Sequence, residues 1–192
     1  KLKTTGNTVS DQKYVVCNAD EGDPGAFSDK WLLEERPHSV LFGMMMTGLI
    51  TGAQTGAIYI RGEYPESVRA VKGAIEQLER EKLTGNKIFL GDFNFKFHVV
   101  EGAGAYICGE ETSLLNSLEG LRPEVRTRPP FPAQFGLFGK PTVLSNVETF
   151  ANIRYILNEG GLAYSAMGTE KSAGTKLVSL DGAFLRPGLY EV

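Results

Sequence analysis

Two acid-rich turns and one proline-rich loop hold the residues that could do chemistry. The first turn runs Gly102-Ala103-Gly104-Ala105-Tyr106-Ile107-Cys108-Gly109-Glu110-Glu111-Thr112. Glycines let a backbone come close to a ligand, and a helix start offers free N–H groups. A dinucleotide loop of the form G-x-G-x-x-G would suit such a place, but Ile107 stands where the third glycine belongs. Glu110 and Glu111 suit the positive end of a helix dipole and oppose a phosphate at the same point. Carboxylates in a glycine turn better match neutral hydroxyls, such as those of ribose, or the polar edge of a ring. The same stretch also reads as an acidic first helical turn over tight packing. The second turn, Asn18-Ala19-Asp20-Glu21-Gly22-Asp23-Pro24-Gly25, puts three acids and one amide into eight positions. Asn and Asp stabilise turns through their own backbone, but a plain turn does not need this density of acceptors. Ligands of open α/β sheets sit outside strand ends of this kind.

The third stretch, Leu121 to Pro141, has no periodicity and sets Arg122, Arg126 and Arg128 among Pro123, Pro129, Pro130 and Pro132. Proline stiffens the loop and can hold Arg128 and Phe131 in fixed directions. Arginine suits a phosphate or a ring face, and phenylalanine suits stacking on an aromatic base. A surface-crossing loop with solvated arginines is the alternative.

The elements that must position these residues follow from hydrophobic period. Lys13 to Cys17 is a short β-type run ending in the acid turn. Trp31 to Arg36 reads as a short helix stopping before Pro37. Ser39 is placed to cap a helix from Val40 to about Thr51 that is apolar nearly all round and so buried. Its Met44-Met45-Met46 run reads as core filling. Gly56 to Glu63 is a second strand. Pro65 opens an amphipathic helix carrying Val68, Val71, Ile75 and Leu78. Phe93 to Val100 alternates as a third strand and leads into the glycine turn, after which Leu114, Leu115 and Leu118 keep helical spacing. Ser145-Asn146-Val147-Glu148 reads as a capping box for a helix reaching Gly160. Residues 1–12 read as a loop and residues 162–174 as a linker. Lys176 to Leu180 and Leu189 to Val192 read as a hairpin opening a new β unit. This alternation of strands and helices is an α/β pattern.

Composition narrows the function. At 192 residues, 42% hydrophobic and 22% charged, the chain is an ordinary globular one with one good core. A net charge of −3 gives no electrostatic case for nucleic acid or anionic membrane. The most apolar segment, Val40 to Ile50, is too short to span a bilayer, so no direct membrane insertion is expected. Cys17 and Cys108 lack the spacing of a metal site and read as buried thiols, compatible with a reducing cytoplasm. His38 and His98 carry no assigned chemistry. Both ends look cut, so a longer polypeptide is expected.

Taken together, the stretches Asn18 to Gly25, Arg61-Gly62-Glu63-Tyr64-Pro65, Gly102 to Thr112, Arg128-Pro129-Pro130-Phe131-Pro132 and Asn146-Val147-Glu148-Thr149 resemble one family. It is the NADH-binding flavoprotein subunit of respiratory complex I, with the related diaphorase subunits of NAD-linked hydrogenases and formate dehydrogenases. The resemblance implies a Rossmann-like FMN-binding domain with a parallel sheet core over residues 1–172. The beginning of a β-grasp domain would follow over residues 173–192. It implies hydride transfer from NADH to FMN and single-electron transfer onward to iron–sulfur clusters.

By similarity, Asn18, Asp20, Tyr106, Gly109, Glu110 and Asn146 would contact the flavin, and Glu21 joins the cofactor-binding set. Asp23, Glu111, Arg128 and Phe131 would meet NADH, with Glu111 on ribose and Phe131 near adenine. A like-charge conflict of Glu111 with a 2′-phosphate favours NADH over NADPH. The resemblance also implies iron–sulfur partner subunits and a cytoplasmic location, peripheral to the inner membrane through those partners. Three features depart from the family pattern. Its glycine-rich phosphate loop precedes this region, with Lys1 as a last remnant. The cysteine motif for its four-iron (4Fe-4S) cluster is absent from these residues. Ser145 replaces a second asparagine. The Gly22-Asp23 pair leans toward the hydrogenase and formate dehydrogenase branch. A cofactor-free adaptor subunit of a redox complex is the competing class.

Overall fold

The run Val15-Val16-Cys17 is fully buried, so strand β1 (Tyr14–Ala19) is covered on both faces. Strands of that kind belong to parallel sheets with helices on either side. The computed structural model, which describes residues 1–88 and 91–192, has such a sheet. Its order is β3 (Gly85–Ile88), β4 (Phe93–Gly102), β2 (Thr55–Arg61), β1, β5 (Thr142–Asn146). All neighbours pair in parallel except β3, which runs antiparallel on the β4 edge.

One face of the sheet presents Val15, Cys17, Ile58, Ile60 and Phe95 to helices α2 (Ser28–Glu35), α3 (Pro37–Thr51), α4 (Pro65–Arg80) and α6 (Val147–Glu159). The apolar α3 is buried through Val40, Leu41, Met44 and Met45, so the methionines fill core. It ends at Gly52, whose left-handed φ of 78° suits the residue without a Cβ. A Cβ on Gly43 would lie 2.1 Å from the Phe150 carbonyl oxygen, so glycine is what lets α3 and α6 pack backbone to backbone. The opposite face presents Val16, Tyr59 and Leu144 to Leu114 and Leu115 of α5 (Glu111–Leu118), with Cys108 and Leu137 alongside. Both cysteines are buried and free.

Four expectations need correction. Residues Leu2–Asn7 form a helix, α1, rather than a loop; Thr5 is fully buried and donates to the Ala133 carbonyl at 3.2 Å. Tertiary contact overrides a run of weak helix formers. The strands β3 and β5 are absent from the sequence reading, because each is short and neither alternates. Ser39 lies inside α3, whose first residue is Pro37, and Ser145 lies in β5, so Asn146 caps α6 instead. Residues 162–174 fold in part: α7 (Gly161–Ser165) is followed by a two-residue ribbon, β6 (Gly168–Thr169) and β7 (Ser172–Ala173). The terminal hairpin forms from β8 (Leu177–Leu180) and β9 (Gly188–Glu191).

Candidate functional site

From β1 the chain moves to β2 and β4 on one side, and β5 then takes the other side of β1. The loops after β1 and β5 therefore diverge, which opens a crevice at the carboxyl ends of those two strands. Asn18 and Asn146 are register partners there. The Asn18 side chain donates to the Gly109 carbonyl at 2.8 Å and accepts from the Asp20 amide at 3.1 Å. It thus ties the acid turn to the glycine turn. The resulting hollow has a volume of about 530 Å³. The acid turn supplies Asn18, Asp20, Glu21 and Asp23 to its wall, the glycine turn Tyr106, Gly109 and Glu110, and the start of α6 Asn146. Asp20 and Glu110 thus share one cavity.

These groups are in different states. Asp20 is 8% exposed, and its Oδ2 has no hydrogen-bond partner. Burial raises its pKa, with Arg61 opposing and Glu63 adding to the rise. An unpartnered buried acceptor is costly and is a place for a donor from a ligand. Glu21 is committed to the protein. Its Oε1 accepts from the Ser28 hydroxyl and the Asp29 amide, and its Oε2 from the Lys30 amide, so it caps α2 from outside the helix. Arg61 donates to the Glu21 carbonyl and grips Glu63 through two nitrogens, holding the acid turn from below.

Glu110 is the N-cap of α5. Its Oε2 accepts from the Thr112 and Ser113 amides at 2.8 and 2.9 Å and from the Thr112 hydroxyl. Burial would raise its pKa. The Thr112 hydroxyl, the Ser113 and Thr112 amides and Arg128 outweigh burial and hold it below its ordinary value. The amides that could have held a phosphate at α5 are therefore filled by this chain's own carboxylate. Tyr106 sits in a short 3-10 turn and donates to Asp23 Oδ1 at 2.8 Å. Its ring lies over Gly22, where a Cβ would come within 2.9 Å of Cδ2.

The residues implied for nicotinamide nucleotide are not all together. Asp23 is in the first hollow. Glu111 and Phe131 line a second one, of about 360 Å³, with Lys1, Thr4, Gln134 and Leu144. Arg128 bridges the two, bonding Glu111 Oε1 at 2.7 Å and Glu110 Oε1 at 3.3 Å. Lys1 donates to the other Glu111 oxygen at 3.0 Å.

Sequence reasoning missed several supporting groups. Asp29 and Glu148 line the first hollow. Asp29 is 6% exposed and accepts from Asn146 Nδ2 at 2.6 Å. Burial first, then the charge of Glu21, push its pKa up to about 7. The helix-start signature Ser28-Asp29 could have drawn attention to it. Arg126, read as solvated, bonds Asn116, Gly136 and Glu119 through its side chain and Thr112 through its amide. Among the described residues no group of His, Cys, Asp and Glu is arranged to hold a metal ion. No described helix is long and apolar enough to cross a membrane.

Comparison with known proteins gives consistent matches. Residues 1–155 match the family described as the Nuo51 FMN-binding domain. The chain is 45% identical over 180 residues to an NADH-quinone oxidoreductase subunit of Rhizobium meliloti (strain 1021), covering 94% of this chain and 43% of that one. It is 49% identical over 183 residues to the NADP-reducing hydrogenase subunit HndC of Solidesulfovibrio fructosivorans, covering 95% and 37%. A crystal structure of NAD+-reducing [NiFe]-hydrogenase in the H2-reduced state superposes with a TM-score of 0.91 at 34% identity, over all of this chain and 32% of the other. The chain thus spans 32 to 43% of the length of these relatives. With the matched residues including both turns, the proline-rich loop and the whole five-stranded sheet, the chain belongs to the Nuo51 FMN-binding domain family.

Proposed function

We propose that these residues are the flavin- and NADH-binding part of an NADH:acceptor oxidoreductase. The observation that carries this is the hollow at the carboxyl ends of β1 and β5, with the buried Asp20 Oδ2 left without a donor. FMN, when bound, accepts a hydride from NADH and returns the electrons one at a time. The hollow's volume lies in the range of small-ligand sites. Asn18, Asp20, Tyr106, Gly109, Glu110 and Asn146 would hold the flavin, Asp20 by accepting from a ring N–H or a ribityl hydroxyl. Glu21 would act by holding α2 and the acid turn in place. Glu110 occupies the amides at the start of α5, so a bound flavin would have its phosphate held elsewhere. An adaptor without cofactor has no use for an orphaned acceptor that costs stability.

Glu111, Arg128 and Phe131 would take the adenosine half of NADH in the second hollow, and Asp23 would meet the nicotinamide half in the first. The electrons would pass to iron–sulfur centres elsewhere in the whole protein and its partner subunits. The relatives are named as subunits of NADH-quinone oxidoreductase and of hydrogenases. A cytoplasmic complex, attached to the inner membrane only through other subunits, fits this reading. The β8–β9 hairpin would open the β-grasp domain, with the boundary near residue 173. A 2′-phosphate would meet Glu111, although Lys1 and Arg128 both offset that charge. NADH is the expected donor, and the NADP-reducing relative makes the comparison informative. The test is the full-length protein: released flavin identified as FMN, and turnover compared with NADH and NADPH. Absence of flavin, with none taken up on reconstitution, refutes the reading; equal use of both nucleotides refutes the donor preference.

A further inference from the structure

Asn146 is exposed at the mouth of the hollow. Its Oδ1 is used by the cap of α6, accepting from the Glu148 amide at 2.9 Å. Its Nδ2 donates to Asp29 Oδ2 at 2.6 Å. The cap and the carboxyl together fix the carboxamide and leave one N–H free to serve a ligand. An exposed asparagine without such an anchor would sample several rotamers and lose that freedom on binding. Asp29 is anchored in turn by its place in the first turn of α2, where Glu21 accepts from its amide at 3.1 Å. The carboxyl links three elements, α2, β5 and α6, beneath one wall of the hollow.

We propose that Asp29 is a positioning residue for the flavin hollow, holding the Asn146 carboxamide ready and setting the local charge according to its protonation. This rests on the flavin reading above. The groups facing Asp29 are anionic or neutral. Glu21 approaches from the acid turn, Glu148 from α6 and the Cys17 thiol from β1, while Asn146 comes from β5. The nearby Lys30 ammonium lies over the Tyr64 ring, 5.6 Å from its centroid. Asp29 accordingly keeps its proton to near neutrality. Once ionised, it adds a negative charge beside a cofactor that carries a phosphate. A neutral Asp29 thus favours FMN, and rising pH weakens the site.

The experiment is FMN titration of flavin-stripped full-length protein, followed by flavin fluorescence, at about pH 6 and about pH 8.5. Asp29→Ala is expected to weaken binding about tenfold at the lower pH, the lower end of what loss of an orienting hydrogen-bond partner costs around metal ligands. Asp29→Asn keeps an acceptor for Asn146 Nδ2, stays within about threefold of wild type at the lower pH, and binds more tightly than wild type at the higher. A merely structural residue would not give that reversal. The proposal is overturned if Asp29→Ala binds FMN like wild type, or if Asp29→Asn follows the wild-type pH dependence. Failure of the wild type itself to bind FMN brings down the flavin reading and this inference together, whereas a wild type that binds FMN, with Asp29→Ala binding equally well or Asp29→Asn keeping the wild-type pH dependence, brings down only the inference.

Discussion

Replacing Asp29 with asparagine is expected to stabilise the folded chain, and by more as the pH rises. In the folded state burial and the Glu21 charge hold the Asp29 proton to about pH 7, against 3.8 for an ordinary aspartate. Between those values the native state keeps a proton that the unfolded chain has released. Stability from this group is therefore complete below about pH 4 and declines until the pH passes about 7. At about 1.4 kcal/mol per pH unit the whole decline is about 4 kcal/mol. About 2 to 3 kcal/mol of it falls between pH 5 and pH 8. An asparagine carries no proton to lose and presents a carbonyl to Asn146 Nδ2 in place of the carboxyl oxygen. Urea denaturation of wild type and Asp29→Asn across that range isolates the effect, because every other titrating group is common to both. The gap between the two curves is expected to widen by about 2 to 3 kcal/mol toward alkaline pH. Parallel curves would show that Asp29 is ionised in the native state at all these pH values and would refute the electrostatic account.

Three further outcomes follow from the same contacts. Glu110→Ala removes the α5 cap and one partner of Arg128, and is expected to cost about 1 to 2 kcal/mol in chemical denaturation. Because the folded Glu110 pKa is depressed, its stabilisation is present above the ordinary glutamate value and lost on acidification, so the variant's deficit shrinks at low pH. Gly22→Val forces the Tyr106 ring aside, since even a Cβ would stand 2.9 Å from Cδ2. It is expected to break the Tyr106–Asp23 bond and return the raised tyrosine pKa toward its ordinary value, read by ultraviolet titration. Arg126→Met leaves the Asn116 and Gly136 carbonyls and the mostly buried Glu119 carboxylate without their partner. A loss of about 2 to 3 kcal/mol is expected, together with faster proteolysis of residues 121–136.

The chemical inventory and most of the elements were legible in the linear chain. Period and composition located β1, β2, β4 and the helices α2 to α6, because each buries a face wide enough to leave a pattern. The density of acceptors in residues 18–25 and the carboxylates at Glu110 and Glu111 marked both turns as unlike plain loops. The failed third glycine at Ile107 already argued against a phosphate at α5, and the Glu110 cap gives that argument its physical form. Which of these residues meet was settled by folding in three dimensions. Strand order is not written in local periodicity, and the insertion of β5 beside β1 is what places Asn146 against Asn18 and opens the hollow. The strand β5 has five residues and no alternation, so nothing local announced it. The same holds for Asp29, which looks like any acid in a first helical turn until folding buries it against Asn146 and beside Glu21. Its proton affinity belongs to that enclosure, not to the residue type, which is why folding alone could assign it.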